Sequence, residues 1–473
     1  MAGYKHGVYT HEVPTSIIPP VSSIAGLTVV FGTSPINLTD PSNVNKAVLA
    51  YTYKEAVQKM GYSEDFDNYT ISEAISSHFG LFAVSPLVMV NVLDPEKHKK
   101  SGTANLNVID GEAVLKKEGV LTDSLVVKNE DGTTTYEKTD YDHEFDDDGH
   151  LHIFIDAAEK IQVEFNQLDP SMVTTSDIIG GVSLDGGSKG LEVLNEVFPR
   201  FRLVPGIVIA PKYSCDPAVT AVLKAKATNV NGVFKAIAIT DIPTDEVKDY
   251  TAVPEYKNQK NLDSPDLIVC WPKVSLGGKQ YHMSTQLASL ANKTDGANEG
   301  IPYKSPSNKN LQMDACVLKD GTEITLGLEQ ANYLNGQGIV TALNWIGGWR
   351  AWGNRTSCYP GNTDPKDAFI PVRRMFIYEQ NQVILTYWQK VDEPGNRKLI
   401  ETVIDSKNID LNGKAARGFI LGGRVEFREE ENPLTGLMDG TYTFHVFITP
   451  PTPARELKWL FEFDPSYFDT LFG

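Results

Sequence analysis

The feature that most restricts how this chain can fold is a set of five short apolar runs: Leu27 to Phe31, Leu87 to Leu93, Gly206 to Ala210, Val233 to Ile239 and Asp266 to Trp271. All are rich in valine and isoleucine and show little period-2 alternation. A strand with one wet face alternates apolar and polar residues, whereas a strand covered on both faces does not. These runs therefore read as interior strands of a mainly parallel sheet. Helical patterns fall between several of them. Tyr53 to Met60 stops before Gly61, and Ile71 to Phe82 follows Thr70. Leu191 to Phe198 follows a glycine-rich turn, and Pro217 to Ala227 begins with Asp216 as N-cap and proline at the first helical position. The alternation predicts an α/β core.

At 473 residues the chain exceeds what one core organises, so two to four domains are expected. Residues 101 to 175 have a different texture. Asp131-Gly132 and Asp148-Gly149 separate the β-prone stretches Val126 to Lys128, Thr133 to Lys138 and Leu151 to Ile155, which predicts a small antiparallel β domain inserted in the core. A helical pattern then runs from after Leu326 to about Ile346. Further helices are expected near Arg373 to Trp388 and Gly413 to Leu421, and alternating strands at Thr441 to Ile448 and Leu457 to Phe463. Both ends read as arms. Val8, Tyr9, Thr10, His11, Glu12 and Val13 are strand-like, and Pro14, Pro19 and Pro20 keep the following chain extended. Leu457, Trp459, Phe461 and Phe463 line one face of the other arm. A lone strand leaves its backbone donors and acceptors unpaired, so each arm must join a sheet, its own or another subunit's.

The formal charge of −18 repels phosphate backbones and anionic lipid, which disfavours nucleic acid and points to protein partners. No Sec signal and no transmembrane helix is expected. The four cysteines, Cys215, Cys270, Cys316 and Cys358, lie far apart without a C-x-x-C pair and read as inert thiols in a reducing compartment. The glycine turn at Gly181 to Lys189 lacks the lysine of a phosphate loop, since Gly187 stands in its place. The acidic run Glu144 to Gly149 starts like a calcium loop, but Ile155 stands where the closing glutamate belongs, so an acidic hairpin is expected and no metal. His143, His150 and His152 share that segment. No nucleophile pattern is present, so no catalytic residue and no cofactor is assigned. Trp345, Trp349 and Trp352, close to Arg350 and Arg355, are expected to pack with arginines on their ring faces.

In order along the chain, several segments resemble the contractile tail sheath family of myophages, R-type bacteriocins and contractile injection systems. They are Gly7-Val8-Tyr9 to Glu12 with Ile17, Pro20-Val21 and Ile24 to Gly32; Gly186-Gly187; Pro205 to Pro211; and Asp241-Ile242-Pro243. Tyr303 to Asn310, Leu334 to Ile339, Trp352 to Thr356, Val372-Arg373-Arg374 and Gly440 to Pro451 with Pro453 to Glu456 continue the series. The resemblance implies a structural subunit, not an enzyme, of a tail sheath. Such subunits assemble as stacked hexameric rings around an inner tail tube and contract to drive the tube through a target envelope. It also implies tube, baseplate and tail terminator partners, and assembly in the bacterial host cytoplasm into a virion tail or a released particle. The implied division is a 1–26 arm, a 27–100 and 176–345 α/β core, and a 101–175 outer β domain. A 346–450 tube-facing sheath domain and a 451–473 arm complete it. Lys414 and Arg417 are the implied tube-facing cations. The competing reading is an α/β enzyme with a β insertion acting on a small ligand.

Overall fold

Each of the five runs contributes one strand to a single eight-stranded sheet in a computed structural model that describes residues 25–472, apart from Asp147, Ala157, Ala158 and Asp185. The strands are β1 (Thr28–Gly32), β2 (Val48–Ala50), β3 (Leu87–Asn91), β4 (Ile207–Ile209), β5 (Ile237–Asp241), β6 (Leu267–Cys270), β7 (Ile339–Trp345) and β8 (Gly348–Trp352). Their order is β2-β3-β1-β4-β5-β6-β7-β8. The six from β3 to β7 are parallel, and β2 and β8 are antiparallel at the edges. Side chains alternate between the faces: Val30, Met89, Ile209 and Ile239 point into one buried cluster, and Val29, Phe31, Val88, Val208 and Ala238 into another. Helix Met283–Gly296 supplies Leu287 and Leu290 to the first cluster, and helix Pro217–Ala227 supplies Val219 and Leu223 to the second. Both faces being covered explains why the runs lack alternation.

Strand β7 corrects the expected helix from Leu326 to Ile346. The helix there is Leu328–Asn335 only, and Gly338 turns the chain at φ +70. A Cβ on Gly338 would lie 2.6 Å from the Tyr359 carbonyl oxygen and 2.7 Å from that of Thr356, so the turn demands glycine.

Between β3 and β4 the chain builds two antiparallel three-stranded sheets. One orders Lys99–Asn107, Lys160–Leu168 and Val120–Asn129; the other orders Glu112–Leu115, Leu151–Ile155 and Tyr141–Phe145. They share a core of their own that includes Leu125, Val127, Ile153, Val163 and Phe165. The turn at Asp148-Gly149 joins two paired strands as expected. The expected strand Thr133 to Lys138 does not form; that stretch makes a single bridge, Thr135 to Lys128.

The last part of the chain packs helices Ile370–Tyr387 and Arg397–Ala416 with a hairpin of β9 (Gly422–Glu426) and β10 (His445–Thr449). Met375, Tyr378, Leu411, Phe419, Ile420 and Val425 form its core with Ile301. The helix expected at Gly413 to Leu421 is the end of the 20-residue helix from Arg397, and the chain leaves it at Arg417. Leu457 to Phe463 forms no strand. The amino-terminal residues Val8, Tyr9, Thr10, His11, Glu12 and Val13 lie outside the described residues.

Candidate assembly interface

The hairpin β9–β10 is the only sheet of this last region among the described residues, and two strands alone are marginal in water. It is held from one side. Leu411 packs under Gly423, where a Cβ would approach both Leu411 methyl carbons to 3.3 Å. From the same helix, the Asn408 side-chain oxygen accepts the Val425 backbone N–H at 2.9 Å. That bond plugs the middle of the β9 edge. Apart from the Leu421 N–H just before β9, which the Thr449 carbonyl accepts at 2.8 Å, the backbone of His445–Thr449 makes no hydrogen bond outside the hairpin among the described residues, so β10 presents an open strand edge.

Beyond Thr449 the chain runs over the surface as an exposed arm. Trp459 is 78% and Phe461 is 95% exposed, and Leu457, Phe463, Tyr467, Phe468, Leu471 and Phe472 are exposed as well. After the unpaired stretch, Pro465–Leu471 closes as a short 3-10 turn with Asp464 accepting the Ser466 N–H at 2.9 Å. An apolar segment of this size in water marks a contact surface.

Under the hairpin the two helices are tied by a buried quartet. The Lys407 ammonium lies 2.7 Å from Glu379 and 2.8 Å from Asp410, and the Lys414 ammonium lies 2.5 Å from Glu379 and 2.9 Å from Asp410. The Gln382 side-chain oxygen accepts from both lysines. Burial opposes charge here, but the facing lysines hold the Asp410 carboxyl below its ordinary range. The same burial works against Lys407, yet Glu379 and Asp410 raise it. This placement corrects the expectation for Lys414. At 2% exposure, with its ammonium enclosed by internal acceptors, it cannot meet a tube. Arg417, three residues on at the end of the helix, is half-exposed and pairs with Glu299 at 2.6 Å.

The tryptophan cluster also differs from expectation. Arg350 donates to the Ile346 and Asn308 carbonyls at 3.0 and 2.8 Å instead of covering an indole. The Arg355 guanidinium lies 3.7 Å from the Phe369 ring centre and 4.3 Å from that of Tyr359. Trp352 instead donates to Asn332. Arg355, Trp352 and Tyr359 line a cleft of about 830 Å³ whose outer wall is Pro451 to Glu456, the root of the arm.

The enzyme reading places chemistry at the carboxyl ends of the parallel strands, and a polar cluster does sit there. Asp241, at the end of β5, accepts from the Ser284 backbone, and from its hydroxyl at a very short separation; His282 faces Glu73 at 2.8 Å. All four residues are buried and engaged with one another. Burial raises the Asp241 carboxyl. The cluster serves as packing between helix and sheet, with no substrate face. The turn at Gly181–Val182 and Ser188–Lys189 is a tight hairpin, as its glycines predict. Asp146, Asp148 and His150 bring ligand atoms within 4.8 Å of one another, but Asp146 already accepts the backbone N–H groups of Asp148 and His150. All four cysteines are free thiols whose proton affinity is raised by burial. Among the described residues no helix is long and apolar enough to cross a membrane.

The α/β body thus carries a sealed polar cluster, an open strand edge and an exposed aromatic arm. The chain is 27% identical to the tail sheath protein of Burkholderia phage BcepMu over 491 aligned residues, covering 100% of this chain and 99% of that one. It is 26% identical to the tail sheath protein of Escherichia phage P2 over 300 residues, 60% of this chain and 69% of the other. Its fold matches the contracted helical sheath of the anti-feeding prophage (TM-score 0.58, 14% identity, 98% and 100% of the two chains). It equally matches the contracted sheath of the PVC extracellular contractile injection system (TM-score 0.58, 15% identity, 99% of each). No protein-family model matches. The chain is a homologue of phage and prophage tail sheath proteins with the fold of contractile injection system sheaths, and these relatives are structural proteins, not enzymes.

Sequence reasoning missed the Asn408 plug, the quartet and the cleft. The spacing Lys407, Asp410, Lys414 carries the one available signal, because i, i+3 and i, i+4 place opposite charges together on a helix.

Proposed function

We propose that this chain is the protomer of a contractile tail sheath, stacked as hexameric rings around an inner tail tube and contracting to drive that tube through a target envelope. The observation that carries the reading is the pairing, in one chain, of an unpaired aromatic arm with a hairpin open along one edge. An arm that adds a strand to a neighbour's β10 satisfies both backbones and buries the aromatic face. It also leaves the bodies free to rotate about the proline-rich root Pro450, Pro451 and Pro453. Because donor and acceptor are different surfaces, the contact is head-to-tail and propagates.

In this reading the two small sheets at 101–175 face outward and the region 346–450 faces the tube, with Arg417 as the remaining cationic candidate there. Residues 1–26 form a second donated arm, residues 27–100 and 176–345 the rigid body between, and 451–473 the arm discussed above. Baseplate and tail terminator proteins cap the polymer in the host cytoplasm before release of a tail or tail-like particle. Negative-stain microscopy of the purified chain, or of a lysate holding its tube partner, tests this. Striated cylinders are expected from the full chain. Deleting residues 457–473, or residues 1–20, should leave a folded monomer that no longer forms them. Normal cylinders from either deletion would refute strand donation by that arm.

A further inference from the structure

The chain carries 61 acidic against 43 basic side chains, so a surface where cations lack acidic partners needs an explanation. The 830 Å³ cleft at the arm root is such a surface. Lys304, Lys309, Arg355 and Arg455 line it, with Glu456 as the one acid. Arg455 pairs with Glu456 at 3.2 Å. Among the described residues Lys304, Lys309 and Arg355 have no carboxylate within ion-pair distance, although acids outnumber bases elsewhere. Arg355 is clamped between the rings of Phe369 and Tyr359, which fixes its guanidinium without neutralising it. Burial weakens its hold on charge, and the neighbouring Arg455 adds repulsion. A fixed, partly buried guanidinium with two lysines and aromatic walls is chemically suited to a carboxylate flanked by aromatic rings.

We propose that this cleft receives the tip of the carboxy-terminal arm of a second copy of the chain. The tip alternates acids and aromatics: Glu462-Phe463-Asp464, then Tyr467-Phe468-Asp469, all exposed in the single chain. The arm is also long enough. Extended, the 16 residues from Leu457 to Phe472 span up to about 50 Å, ample for crossing to an adjacent subunit. Strand addition at β10 fixes where the arm runs, and the cleft then anchors its end through charge and ring contacts, setting the register of the added strand. The inference rests on the reading that the arm leaves its own subunit.

Charge exchange tests it on the full chain. Lys304, Lys309, Asp464 and Asp469 are all exposed, so reversing them spares the fold, which thermal melting of the monomer checks. K304E/K309E and D464K/D469K should each lower the yield of cylinders by about tenfold or more, and the quadruple variant should restore most of it. A fluorescent peptide of residues 457–473 should bind the unassembled full chain, with its affinity reduced about tenfold by K304E/K309E. Normal cylinders from D464K/D469K, or a quadruple variant no better than its parents, would overturn the anchoring while leaving strand donation intact. Normal cylinders after deletion of 457–473 would instead remove the underlying reading. Peptide binding that the lysine reversals do not change would also count against the cleft.

Discussion

Replacing Lys414 by methionine isolates the energetic role of the buried quartet. The native cluster is neutral: two lysines face Glu379 and Asp410, and all four are nearly excluded from water. Methionine keeps the apolar stem but removes one charge, leaving two carboxylates to share Lys407. Breaking a buried pair from one side costs about 3–5 kcal/mol, because the abandoned charge stays desolvated. Removing both members of a pair costs far less. The quartet joins helix Ile370–Tyr387 to helix Arg397–Ala416, so the loss should concentrate there. Hydrogen exchange resolved by peptide is the assay. K414M should speed opening of residues 370–416 by roughly two to three and a half orders of magnitude, at about 1.4 kcal/mol per tenfold, while the β1–β6 peptides stay protected. The double variant K414M/E379Q should return most of that protection. Refutation would be a K414M effect below about tenfold, or a double variant worse than the single one.

Other perturbations probe separate parts. Arg374 donates two buried bonds to Asp295 and a partly buried third to the Ala25 carbonyl at 3.1 Å, so Arg374→Ala should cost about 3–5 kcal/mol and Arg374→Lys should recover little, as read by urea denaturation. A Cβ on Gly206 would stand 2.0 Å from the Ala25 carbonyl oxygen, a backbone atom, so Gly206→Ala should destabilise by about 1–3 kcal/mol in the same assay. His152 lies between Glu112 and Asp146, and those bonds raise its proton affinity above the ordinary 6.5. The stability it contributes is therefore complete below about pH 6.5 and is lost as pH rises through the raised value. An NMR titration of His152 should show a midpoint above 6.5 that falls in Glu112→Gln, and an unshifted midpoint would refute the contact.

The parallel strands were legible because burial on both faces writes itself as uninterrupted Val and Ile. Strand β7 was not, since Leu334 and Ile339 continue the spacing of the preceding helix across Gly336 and Gly338. Helix Met283–Gly296 left no apolar stripe to find. It is buried on every side, and Ser284, Gln286, Ser289, Asn292 and Asp295 face into the protein where they meet polar partners. The helix from Arg397 escaped for a similar reason, because Lys407 and Lys414 occupy interior positions where a pattern search expects leucine. Leu457 to Phe463 has the alternation of a strand, yet a strand exists only once its backbone is paired, and a single chain supplies no pair. The family resemblance survived all these misreadings because it rested on the order of many short segments.

The Asn408 bond to Val425 bears on how such subunits can join. In the language of polymer chemistry, a hairpin with two usable edges would be a bifunctional acceptor, able to take two strands and so to branch or crosslink. With the β9 edge plugged at its centre, the hairpin becomes monovalent. In the proposed assembly one incoming strand would saturate it, and threads linked through this contact would grow without branch points. Asn408→Ala would restore the second valence and should turn ordered cylinders into crosslinked aggregates.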